Sequence, residues 1–156
     1  VEGAYYARTW MSADATEGGG PAGTAIIGLF CADPPSSSRF HRLARDEIWH
    51  FHAGDPVRLV LLHPGGGSED VVLGDVQDGH APQHVVPAGS WQAGELRPGG
   101  AWALFGCTMA PGFTPDAFEG GIEGVLLAGW PEREADIRRL ALHEDASSSL
   151  PEGFAG

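Results

Sequence analysis

The chain contains no lysine, since all nine of its basic residues are arginine, and this excludes Schiff-base chemistry and proton transfer through a lysine amine. Cysteine is almost as scarce. Cys31 and Cys107 are far apart and have no CxxC or CxxH neighbour, so they read as reduced strand residues packing as small hydrophobes, with no disulfide framework or zinc knuckle. No apolar run approaches the roughly 20 residues of a bilayer-spanning helix, and no signal peptide is recognisable. The expectation is a soluble, cytoplasmic protein. Positive charge is also in short supply: 21 acidic against 9 basic residues leave a net charge of -12, which repels phosphate backbones and anionic membranes. Nucleic acid and membrane are therefore not expected partners.

What the chain has in quantity is glycine, 24 residues, and proline, 12, and these cut its apolar residues into short segments of the kind that build an all-β barrel or sandwich. Its 156 residues suit one domain, read as residues 1–145 followed by a flexible tail over 146–156. Strands are predicted over 5–10, 24–30, 47–52, 57–63, 71–73, 84–86, 91–93 and 101–109. The runs Gly18-Gly19-Gly20-Pro21, Pro34-Pro35-Ser36-Ser37-Ser38 and Pro64-Gly65-Gly66-Gly67 read as surface connections. None links a strand to a helix N-terminus, so phosphate binding is disfavoured. One C-terminal helix is predicted over Pro131 to His143, with Ile137, Leu140 and Ala141 as its apolar stripe and with the role of a lid on the barrel. A shorter helix over Ile122 to Leu127 is a further possibility.

The chemistry concentrates between Phe40 and Gly54, where His41, His50 and His52 stand close to Asp46 and Glu47. On a strand from Glu47 to His52 side chains alternate, so Glu47, Trp49 and Phe51 share one face while Ile48, His50 and His52 share the other. The alternation alone leaves open which face is the inner one.

Glu47, followed after six intervening residues by Gly54 and preceded by His41, resembles the first cupin motif, and Pro87-Ala88-Gly89-Ser90-Trp91-Gln92 resembles the second. More narrowly, Val1-Glu2-Gly3-Ala4-Tyr5-Tyr6, Phe40-His41-Arg42-Leu43, the run from Asp46 to Pro56, the run from Gln83 to Gln92 and Ala110-Pro111-Gly112-Phe113 resemble the functionally undefined cupin family five. That branch is itself similar to the dTDP-sugar 3,5-epimerases. The resemblance implies a jelly-roll barrel with its pocket inside, usually as a homodimer. In the cupin register Glu47, Trp49 and Phe51 face the cavity and His50 and His52 face away. Two departures bear on chemistry. Gln92 stands where the third metal-binding histidine of cupins stands, and Ala7-Arg8 stands where an Arg-Glu pair is usual.

An amide is a poor transition-metal ligand beside imidazole, so the expected pocket is metal-free and takes no cofactor. His41 and Glu47 are the candidate catalytic pair, and Tyr6, Arg8, Trp49, Phe51, Gln83, Gln92 and Trp102 the candidate substrate-binding set. Without a metal, Glu47 among aromatics loses solvation and its affinity for a proton rises. The ligand is expected to be a small carbonyl-containing or sugar-like molecule, and the reaction an isomerisation, epimerisation or cyclisation. A non-catalytic metabolite-binding module is the alternative. A metal-dependent dioxygenase or lyase, recruiting His84 or Gln92 beside His41 and Glu47, stands third.

Overall fold

In a computed structural model that describes residues 3–151, ten strands form two five-stranded sheets with antiparallel pairing throughout. The strands are β1 Tyr5–Met11, β2 Thr24–Cys31, β3 Ser38–Leu43, β4 Glu47–Gly54, β5 Val57–Leu62, β6 Ser68–Leu73, β7 Gln83–Val86, β8 Trp91–Leu96, β9 Trp102–Met109 and β10 Phe118–Gly120. The first sheet has the order β1-β2-β9-β4-β7 and the second β10-β3-β8-β5-β6. From β2 to β5 and from β6 to β10 consecutive strands alternate between the sheets, as in a jelly roll, while β1-β2 and β5-β6 pair within one sheet. Val1 and Glu2, which contribute to the family resemblance, lie outside the described residues, as do 152–156 of the expected tail.

All eight predicted strands form, with ends shifted by a few residues. Two strands were missed, and one of them matters for function: β3 carries His41. Its pairing to β8 slips between Ser38 and His41, so Ser38 and His41 both turn into the barrel, three positions apart. The slip breaks the two-residue period by which a strand is recognised.

The two helices, α1 Glu123–Gly129 and α2 Glu134–Leu140, cover the outer face of the second sheet. They do not form a lid over the barrel mouth. Leu126, Ile137 and Leu140 join Phe40, Val60, Leu62 and Trp91 in one buried cluster. This explains the unbroken apolar run of β5: Val57, Leu59 and Leu61 fill the barrel while Val60 and Leu62 meet the helices. The predicted helix over 131–143 is shorter than expected, because Ala141 is extended and Leu142 bridges to Ile122. Beyond the helix, the described part of the expected tail runs beside β10. There Gly120 N–H donates to Ser148 O at 2.6 Å, and Leu150 packs against the cluster of Leu43, Met109 and Phe118.

Inside the barrel the core is divided lengthwise. One half is filled by Phe30, Val57, Leu59, Leu61, Leu73 and their neighbours. The other half is left open as a cavity.

Candidate functional site

The cavity comprises about 780 Å³ of atom-free space, counted out to the solvent at its mouth. β3 supplies Ser38, His41 and Leu43 to its wall, β4 supplies Glu47 and Trp49, β9 supplies Phe105, Cys107 and Met109, and the edge strand β1 supplies Tyr6 and Arg8.

Glu47 and His41 reach the same space from opposite sheets. Glu47 opens β4, where its backbone pairs with Met109 on one side and Val86 on the other, and it is 8% exposed. His41 pairs across β3 and β8 with Gln92, is 3% exposed and lies against the Phe118 ring, centroids 5.5 Å apart. Its Nδ1 is 2.8 Å from the carbonyl oxygen of Arg39. A carbonyl only accepts, so Nδ1 carries the proton, and in the neutral ring Nε2 keeps its lone pair.

Gln92 stands behind this pair and joins the two sheets. Its Nε2 donates to Glu47 Oε2 at 2.8 Å, and its Oε1 accepts from Trp49 Nε1 at 2.7 Å. Trp49 in turn stacks on Phe105, centroids 4.8 Å apart, which makes a flat aromatic wall. On the same strand as His41, Ser38 Oγ is buried and has no hydrogen-bond partner, so a hydroxyl among the cavity-lining groups has its bonding capacity unused.

The expected residues thus divide. His41, Glu47, Trp49, Tyr6 and Arg8 line the cavity, and Gln92 buttresses it from behind. Phe51 faces inward as the cupin register implies, but it packs on the filled half of the core and does not line the cavity. Gln83 and Trp102 are corrections. Gln83 pairs with outward-facing His50 and donates to its Nδ1 at 3.0 Å. Trp102 precedes inward-facing Ala103 on β9 and is 46% exposed. Both therefore stand outside the barrel. Sequence reasoning missed Ser38, hidden in a serine run read as a loop, and Cys107, read as plain packing. Cys107 sits at even spacing from Phe105 and Met109 and so shares their cavity face.

The donor set does not fit a first-row transition metal. The cavity offers the His41 imidazole, the Glu47 carboxylate and the Cys107 thiol from three separate strands, and the Gln92 oxygen is taken by Trp49. Among the described residues no group of three or more His, Cys, Asp or Glu is placed to hold a metal ion, while tight sites need several such ligands.

The profile of the family described as "Cupin superfamily (DUF985)" matches residues 1–120. Among solved structures, a protein from Shewanella oneidensis is 33% identical, with a TM-score of 0.83 over 92% of this chain and 89% of that one. A hypothetical protein from Leishmania major is 30% identical, with a TM-score of 0.80 over 90% of each chain. Oxalate decarboxylase from Bacillus subtilis is similar at 14% identity and a TM-score of 0.55, over 97% of this chain and 39% of that one, a likeness of fold alone. No curated protein matches.

Proposed function

The chain belongs to that DUF985 family of the cupin superfamily, and from this premise we propose that its barrel binds a small carbonyl-containing or sugar-like metabolite and moves a proton on it without a metal ion. The observation that carries the reading is the pairing of His41 with Glu47 across one cavity, with His41 Nδ1 committed to the Arg39 carbonyl. That hydrogen bond holds the ring and leaves Nε2 as the nitrogen able to accept a proton from a substrate in the cavity.

In this reading His41 Nε2 takes the proton from the carbon next to the substrate carbonyl, and the electron pair moves onto the carbonyl oxygen. The Ser38 hydroxyl is a donor of the right kind for the oxygen that becomes negative. Reprotonation at a different carbon isomerises the substrate, and reprotonation on the opposite face epimerises it. Glu47, held by Gln92, binds substrate hydroxyls or returns the proton. Trp49 and Phe105, stacked on each other, offer one aromatic wall to the flat part of the molecule.

Proton exchange can be measured without knowing the product. Carbonyl metabolites found to bind by thermal shift are incubated with the protein in D₂O and followed by proton NMR. The expected result is loss of the signal from the carbon-bound proton next to the carbonyl, abolished by His41→Asn with binding retained. Ligands that bind but never exchange would support the second reading, a non-catalytic carrier. That reading is favoured by the largely apolar wall of Leu43, Trp49, Phe105 and Met109.

A further inference from the structure

Arg8 is a cavity residue with no task in the proton transfer. Among the described residues it is the one arginine in the cavity wall, and strand register sets it there. Tyr6 pairs with Gly28 and Arg8 with Ile26, and Tyr6, Arg8 and Ile26 all line the cavity. The pairing then slips, so that Trp10 stands opposite Ala25, one step out of the alternation. A bulge of this kind re-aims side chains beside a site. Here it turns the Trp10 indole outward, over Gly23, where a Cβ would come within 2.7 Å of the ring. Arg8 is thus the last side chain of β1 in the cavity wall, and the wall ends on a guanidinium.

Across the first sheet Arg8 lies in one row with Ile26, Cys107 and Trp49, and Glu47 stands two residues from Trp49 on β4. Three strand spacings of about 4.8 Å put the Arg8 backbone roughly 14 Å from β4. An arginine stem built of bonds of about 1.5 Å spans roughly half of that when it leans inward. What is left between guanidinium and acid is about the width of one ring with its contacts. The surface between them is uncharged, made by Ile26, Cys107 and the stacked rings of Phe105 and Trp49. The cavity therefore carries a cation on one side, an acid on the other and a mostly apolar floor between.

We infer that the ligand of this cavity is a flat carbonyl carboxylate, its anion paired with Arg8 and its carbonyl a ring's width away beside Glu47 and His41. The place of the carbonyl rests on the proton-transfer reading of the site; the charge of the ligand does not. An arginine holds a carboxylate through two parallel N–H donors. Long-range electrostatics act the other way, because a net charge of -12 repels anions from the surface as a whole. An anion is therefore admitted where a local cation receives it. Arg8 is exposed, so the pair is open to screening by salt. One guanidinium matches a carboxylate in charge, whereas a phosphate dianion brings an uncompensated second charge toward Glu47. In a 2-oxo acid the carboxylate and ketone adjoin, so that class does not reach both sides of the floor.

The test is isothermal titration of the whole chain with 4-acetylbenzoate, which carries a carboxylate and a methyl ketone at opposite ends of one ring. Its uncharged amide, 4-acetylbenzamide, and the adjacent isomer, 2-acetylbenzoate, are titrated beside it. The expected result is that 4-acetylbenzoate binds about tenfold tighter than either, the size of one charge-assisted pair, and that its preference over the amide shrinks at about 1 M salt. Arg8→Gln should bring the acid down to the affinity of the amide, and Arg8→Lys should keep most of the preference, with circular dichroism to verify that both variants fold. Equal binding of acid and amide by the wild type, binding of neither, or an acid preference that survives Arg8→Gln each overturns the proposal. Equal binding of the two acetylbenzoates overturns the spacing of carboxylate and carbonyl. Deuterium exchange at the acetyl methyl group is read separately: an acid preference that is lost in Arg8→Gln, without exchange in the wild type, upholds the anion site and defeats the proton-transfer reading alone.

Discussion

Gln92 donates to Glu47 Oε2 at 2.8 Å across the gap between the two sheets, from the strand position at which the family resemblance leads one to expect a third histidine. The same amide accepts from Trp49, so it is occupied at both ends and acts as a strut between acid and aromatic wall. Gln92→Leu should leave buried Glu47 and Trp49 each short of a partner, at about 1–3 kcal/mol for each group, readable as a lower urea midpoint. Gln92→His should instead place a second imidazole beside His41 and Glu47 and tighten zinc or nickel binding at least about tenfold in a competition titration. Unchanged metal affinity would mean that Glu47 and His41 are not oriented toward a common point.

Glu47→Gln keeps the shape of the side chain and removes its charge. The expected outcome is ligand binding within about threefold of wild type, with deuterium exchange at the substrate carbon reduced by a factor of about 10²–10⁴, the usual contribution of a positioned acid or base. Exchange at the wild-type rate would remove Glu47 from the proton path and leave it a binding group.

Gly28 lies under the Phe105 ring, and a Cβ there would come within 2.2 Å of it. The ring has little room to retreat, because Phe30 at 4.5 Å and Trp49 at 4.8 Å hold it on other sides. Gly28→Ala should therefore cost about 1–3 kcal/mol by overpacking and disturb ligand affinity together with stability, since Phe105 also lines the cavity. A variant as stable as wild type would show that the aromatic stack yields.

Asp136 fastens α2 to the second sheet. Its hydrogen bond with Arg58 lowers the pKa of its carboxyl to about 2, with further help from Arg139 and against the opposing effect of burial. A carboxyl with a depressed folded pKa stabilises the fold fully above its ordinary value of 3.8, and the contribution is lost as pH falls through about 2. In urea titrations Asp136→Asn should be less stable than wild type at pH 7, and the gap should narrow between pH 4 and 2. A gap that does not change with pH would mean that the ion pair contributes nothing through its charge.

Much of this architecture is legible along the chain. The two-residue alternation through Glu47, Trp49 and Phe51 separates one inward face from the outward His50 and His52, and spacing by glycine and proline marks eight of the ten strands. β3 escapes because its slip between Ser38 and His41 sets two inward residues three apart, and because Phe40, between them, is buried against the helices on the other face. Gln83 and Trp102 were misplaced for a different reason. Each is one residue from an inward neighbour, and only pairing partners decide the parity: Gln83 lies opposite His50, and Trp102 is one step before Ala103 on a strand whose odd positions fill the barrel.

By itself the sequence determined what local chemistry governs: short strands, strand alternation, the lack of lysine and the amide at position 92 that weakens a metal site. Tertiary structure decided which half of the barrel stays open, that the helices cover a sheet face and leave the mouth uncovered, and that Gln92, Glu47 and Trp49 form one hydrogen-bonded chain. The division has a physical cause. Alternation is set by covalent geometry within a few residues, whereas register and cover are set by partners 43 to 45 residues away in the case of Gln92, whose positions no local pattern encodes.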